Sequence, residues 1–312
     1  MEEQETSCAL EGRVPLDRGL IKMANSPTHR FGQIIGDLLE QATVETVRPI
    51  AQKHHMYLDF IHPRPTRDGK RKIHVEDILG NFHDLDLVVE EGGSEEVIGR
   101  PRAFIEVAWR RYTKHSKNKA QEISSAVLSC ARKYADDAPF TGTVLAGEFT
   151  ENSLQQLRSQ GFVVVHFSLQ SIVDAFKTVG IDAYWEEDTP DEKIEEQVKR
   201  FDLLTDLEIE TIKHCLFQEE KESFEIFAKV LDQSLDRHVS NVSITSLWGS
   251  NKSFETIQDA RDYIESMNLD ASDGYDFIRF EIRIEYSNGS RTTMEFTDRY
   301  DALRKLALMD ND

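Results

Sequence analysis

From Phe31 the apolar positions Ile34, Ile35, Leu38, Leu39, Ala42, Val47 and Ile50 recur every three or four residues, which predicts a helix to about His54 that Pro49 bends or ends early. Tyr57–Ile61 follows as a strand, and Pro63, Pro65, Asp68 and Gly69 mark a turn with a basic tip of Arg64, Arg67, Lys70, Arg71 and Lys72. In HDLDLVVE, His83 to Glu90, a period of two puts Asp84 and Asp86 on one face and Leu85 and Leu87 on the other. The same rule groups Phe104, Glu106 and Ala108 opposite Ile105, Val107 and Trp109. A helix from Ser116, a good cap residue, to Tyr134 presents Ile123, Ala126, Val127, Cys130, Ala131 and Tyr134 as its buried stripe, with Lys119 on the same face. Short strands at 143–146 and 162–167 then alternate with helices at 151–160 and 169–179, each closed by a glycine, Gly161 or Gly180. The order is that of an α/β domain.

Beyond Gly180 the pattern changes. Thr189-Pro190-Asp191-Glu192 reads as a capping box opening an acidic helical region to about Asp236. Strands at 239–247, 277–286 and 292–296, helices at 254–267 and 303–309, and the two-residue turn Asn288-Gly289 then predict a small α+β module whose core holds Phe277, Phe280 and Phe296. Three segments are expected: a flexible arm over 1–28, an α/β domain over 29–188, and an acidic helical plus α+β domain over 189–312.

Composition modifies this picture in two ways. The formal charge of -20 over 312 residues speaks against a nucleic-acid binder. Its distribution does not: residues 1–150 are net -3 and residues 151–312 net -17, while 100–119 holds seven Lys and Arg against Glu106 alone. A basic mouth on an acidic body is compatible with DNA binding, and a solvated charged loop is the plainer alternative. The three cysteines, Cys8, Cys130 and Cys215, lack CxxC spacing, so neither a disulfide framework nor zinc is expected. The acidic N-terminus and the lack of an apolar run near the ~20 residues of a membrane span lead to an expected cytoplasmic protein without a membrane partner. No Walker loop, GxSxG, HExxH or Rossmann fingerprint occurs.

The chemistry that stands out is carboxylate pairing. If the strands carrying Asp86 and Glu106 are neighbours, two like charges converge on one face, a costly arrangement that a hard divalent cation such as Mg²⁺ or Mn²⁺ relieves. An Asp at a strand end, a spacer, an apolar-flanked Glu-x-Lys strand and a following helix resemble the PD-(D/E)XK nuclease superfamily. Asp86 and Glu106 match its acidic positions, and Ala108 stands where the family has Lys. The resemblance implies a restriction-endonuclease-like αβββαβ core over about the first 180 residues and a metal-dependent DNA endonuclease of restriction or anti-phage type. It also implies Mg²⁺ held by Asp86, Glu106 and the Val107 carbonyl, and a lysine migrated to the helix, Lys119 first and Lys114 second. Glu40, in the first helix, is either a third carboxylate of the site or a solvent-facing residue. Arg110, Arg111, Lys117 and Arg102 are the expected phosphate contacts, a homodimer is possible, and the C-terminal domain could grip a protein partner. Two other readings stay open: an inactive nuclease-like DNA- or protein-binding subunit of a larger defence complex, and an α/β interaction protein whose carboxylates are ordinary edge charges.

Overall fold

A computed structural model describes residues 26–246, 250–269 and 277–310, so most of the expected arm lies outside the described residues. The chain divides into two compact units, one comprising 1–135 and 139–232, the other 136–138 and 233–312. The first begins with helix α1, Pro27–Lys53, whose Ser26 side chain accepts from the His29 N–H at 3.3 Å and whose proline occupies the first turn. Its predicted stripe is buried except at Ile50, which is half-buried, and the helix passes Pro49 without stopping.

The sheet of this unit orders its strands β1 (Tyr57–Phe60), β4 (Leu87–Glu91), β5 (Arg100–Arg110), β6 (Phe140–Gly147) and β7 (Val163–Phe167). The β1–β4 and β4–β5 pairings are antiparallel, and β5–β6 and β6–β7 are parallel. Parallel neighbours need a crossover, supplied by helices α2 (Ser116–Lys133) and α3 (Glu151–Ser159). Phe104 and Ala108 of β5 pack with Ala120, Ile123, Val127 and Cys130 of α2, which fixes that helix over the Glu106 face.

Two short strands, β2 (Ile73–Glu76) and β3 (Phe82–Leu85), pair as a separate ribbon. The acidic strand expected to run unbroken from His83 to Glu90 is therefore two strands, with Asp86 at the break. The break has a local cause. The Asp86 N–H is donated to the Glu106 carboxylate and the Val107 N–H to the Asp86 carboxylate, so side chains replace the ladder bonds at this step.

Helix α4 (Leu169–Lys177) is followed by α5 (Asp191–Asp202), α6 (Asp206–Glu219) and α7 (Lys221–Leu235). These acidic helices were expected beyond a boundary at 188, yet the division falls at 232–233. The reason is a buried stripe beneath the charges: Ile194, Val198 and Phe201 turn inward on α5, which packs against α1, and Ile209, Ile212 and Leu216 do so on α6, which packs against α4. The expected capping box also moves. Thr189 accepts from the Glu186 N–H at 2.9 Å, and the reciprocal box forms at Thr205 and Glu208, opening α6.

The second unit contains β8 (Val239–Ser246), β9 (Ser250–Phe254), α8 (Ile257–Ser266), β10 (Phe280–Tyr286), β11 (Arg291–Phe296) and α9 (Arg299–Met309). Its antiparallel sheet, ordered β11-β10-β8-β9, buries Val242, Ile244, Phe280, Ile282 and Ile284 with Ala260, Ile264 and Leu306 of the helices. Phe277 and Phe296 pack against this core as expected. Gly289, at φ 80°, supplies the left-handed residue of the β10–β11 turn. No helix among the described residues is long and apolar enough to cross a membrane.

Candidate active site

The site is set by register. Leu87 of β4 lies opposite Ile105 of β5, so one step outward Asp86 falls opposite Glu106, and opposed residues of an antiparallel pair share a face. The Val107 N–H reaches the Asp86 Oδ2 at 2.8 Å, and the Asp86 N–H reaches the Glu106 Oε1 at 3.3 Å. These bonds orient both carboxylates without neutralising either. Burial raises the pKa of Asp86, with the Val107 N–H and Lys119 acting against it. Burial raises that of Glu106 well above the ordinary carboxylate range, and the neighbouring Asp86 charge adds to the effect.

Lys119 is the cation that reaches this pair. It sits on α2 one turn before Ile123, its side chain only 15 % exposed, and its charge favours the ionised form of both carboxylates. It is not uncommitted: Nζ lies 2.7 Å from the Glu122 Oε1. Ala108, in the strand position where the resemblance has a lysine, is buried in the core under α2.

Glu40 belongs to the same acidic group. Burial first, then the charges of Asp86 and Asp37, push its pKa up to about 8, against the Ile61 N–H and Arg71. Of the two readings of Glu40, the structure places it beside Asp86 and half-buried rather than in solvent. No family model, curated protein or solved structure matches the chain.

Most of the expected basic rim is engaged elsewhere. Lys114 is exposed and 2.7 Å from Glu187. Arg111 is buried, donating to the carbonyls of Ala183 and Trp185 with its guanidinium 3.9 Å from the centre of the Trp185 ring, so it ties the end of β5 to the 183–185 segment. Arg102 is buried and pairs with Glu91 at 3.2 Å. Arg110 donates to its neighbour's carbonyl, Trp109, at 2.7 Å, and Lys117 is exposed. Arg102 and Arg111 are thus internal ties, one to a carboxylate and one to backbone carbonyls of the 183–185 segment, while Lys114 and Lys117 stay exposed.

The basic turn is corrected in the same way. Arg64 is fully buried, with Nη1 2.6 Å from the Asp59 Oδ2 and Nη2 2.9 Å from the Glu90 Oε2, and it also donates to the carbonyls of Ser94 and Val97. Arg67 shares Asp59. The residues that sequence reasoning passed over at the site are Asp37 and Glu122, while Arg71 was placed in the basic tip and not beside Glu40. Glu122 alone had a legible signal, its i+3 spacing from Lys119. Among the described residues no three His, Cys, Asp or Glu side chains are arranged to hold a metal ion. The Asp86–Glu106 pair does suit a hard cation, since Mg²⁺ keeps several waters and needs only one or two carboxylates.

Proposed function

We propose that the chain is a metal-dependent nuclease that hydrolyses phosphodiester bonds in DNA, with a restriction-endonuclease-like core formed by α1, β1, β4, β5, α2 and β6. The observation that carries this reading is the convergence of Asp86 and Glu106 on one face under Lys119 of α2. The strand order, with two antiparallel and two parallel pairings around β5, supports the same core. Asp86 and Glu106, with the Val107 carbonyl, would hold Mg²⁺ or Mn²⁺, which when bound stabilises charge on a phosphoryl oxygen and acidifies water. Lys119 places a positive charge beside both carboxylates and holds a proton near the reacting phosphate. Glu40, its pKa pushed up to about 8 by burial and the neighbouring carboxylates, adds a carboxyl whose charge a bound cation would favour.

The test is incubation of the full chain with plasmid and with single-stranded DNA, in Mg²⁺ or EDTA, beside the Glu106→Ala variant. Mg²⁺-dependent products from the parent and none from the variant are expected; cutting by Glu106→Ala equal to the parent would remove the assignment. A second reading, an inactive nuclease-like subunit, is favoured by the Lys119–Glu122 pair, which partly cancels the cation beside Asp86 and Glu106. It predicts DNA or partner binding without product in any metal.

A further inference from the structure

The β2–β3 ribbon ends in a turn that presents three large apolar side chains to solvent: Ile78 is 58 % exposed, Leu79 81 % and Phe82 68 %. Exposed apolar residues are ordinarily scattered; three within five positions on one turn are not. The turn is also held rigidly. The Asp77 side chain is buried and accepts from the Leu79 and Asn81 N–H groups at 2.8 and 2.9 Å and from His83 Nε2 at 2.9 Å, while the Ile78 N–H reaches the Ser129 carbonyl of α2. The apolar groups are therefore fixed in the exposed position rather than exposed by lack of structure.

Two features identify what the tip meets. β3 runs from Phe82 directly into Asp86 of the carboxylate pair, four residues of strand or about 13 Å, equal to about four base steps of a duplex. The residues leading into the ribbon and the last turn of α2 also expose five cations, Lys70, Arg71, Lys72, Arg132 and Lys133, while the ribbon itself exposes two carboxylates, Glu76 and Asp84. Both carboxylates are already paired, Glu76 with Lys133 at 2.5 Å and Asp84 with Lys72 and His74 at 2.5 and 2.6 Å. An apolar point with a cationic surround on an acidic protein complements a nucleic-acid duplex: phosphates meet the surround, and the apolar side chains enter between bases, where partial unstacking exposes matching surface.

We infer that the 77–82 turn is a wedge that inserts Leu79 and Phe82 into a base step of a double-stranded DNA substrate about four steps from the scissile phosphate. The inference rests on the nuclease reading for its substrate, and it assigns that substrate as a duplex deformed on binding.

The experiment uses the full chain carrying Glu106→Ala, so that the substrate stays intact, and duplexes with 2-aminopurine at successive positions. Its fluorescence rises on unstacking. A rise of about two-fold or more at one position is expected, lost in the further variants Leu79→Ser and Phe82→Ser, with duplex affinity about tenfold weaker. Melting temperatures of these variants within a degree or two of the parent would exclude misfolding, since both residues are solvent-exposed. No rise at any position, or a rise unchanged by both variants, would overturn the wedge. So would a tip variant that leaves unstacking intact and instead dissolves a complex of two copies of the chain. Plasmid cutting by the chain without these substitutions separates the two readings: cutting with no unstacking removes the wedge alone, and tip-dependent unstacking with no cutting removes the nuclease reading alone.

Discussion

One sheet carries a buried pair of carboxylates and, at the β4–β5 step, a second pair in which Glu106 is buried and Asp86 half-buried, and the two are built oppositely. Asp59 of β1 and Glu90 of β4 enclose Arg64, all three at most 3 % exposed, and the guanidinium's remaining donors go to the Ser94 and Val97 carbonyls. Asp86, just before β4, and Glu106 of β5 have Lys119 as the neighbouring cation, which Glu122 shares; burial raises the pKa of both, and the Asp86 charge adds to the rise at Glu106. In the first pair the chain supplies its own cation in a bidentate grip; in the second it leaves the charge partly uncompensated. The same fold buries an arginine between one pair and not between the other, and that difference is what motivates the proposal that the second takes a cation from outside.

The comparison can be broken most severely at Arg64. Arg64→Ala leaves the buried Glu90 without its arginine and Asp59 with Arg67, and should cost about 3–5 kcal/mol of stability, read as a lower denaturant midpoint. A midpoint unchanged from the parent would mean that the first pair is not held by its arginine.

A smaller effect of opposite sign is expected at Glu40. Its folded pKa of about 8 exceeds the ordinary 4.5, so its stabilising contribution is complete below about pH 4.5 and is lost as pH rises through about 8. Glu40→Gln, neutral at every pH, should therefore match the parent at pH 4.5 and be more stable at pH 9 in chelator. The gain at pH 9 is about 1–2 kcal/mol after discounting for its partial exposure. A loss of stability at pH 9 would contradict the acidic grouping. The smallest change is expected from Glu122→Gln, which removes an exposed pair worth under about 0.5 kcal/mol. It also removes a charge that raises both Asp86 and Glu106, so carboxyl titration by NMR should show both pKa values falling.

The carboxylate convergence was legible because it depends only on period-two alternation and on two strands being neighbours. Lys119 was legible for a similar reason, since its place relative to Ile123 follows from helical spacing. What escaped was the destination of the arginines. Arg64 finds Glu90 twenty-six residues away and Arg111 finds Trp185 seventy-four away, so a local charge count read internal ties as a binding rim. The break at Asp86 escaped because HDLDLVVE alternates without interruption, and only the Val107 and Asp86 bonds divide it. The acidic helices α5 and α6 were assigned to the wrong unit because their narrow apolar stripes are outnumbered by charges in any window of sequence.

The central claim is that Asp86 and Glu106 await a divalent cation. Calorimetric titration of the full chain with Mn²⁺ and Mg²⁺, at a pH where both carboxyls ionise, tests it directly against Asp86→Asn and Glu106→Gln. Saturable binding that either substitution abolishes, leaving the fold intact, is predicted. Absence of binding in the parent, or binding that both variants retain, would contradict it.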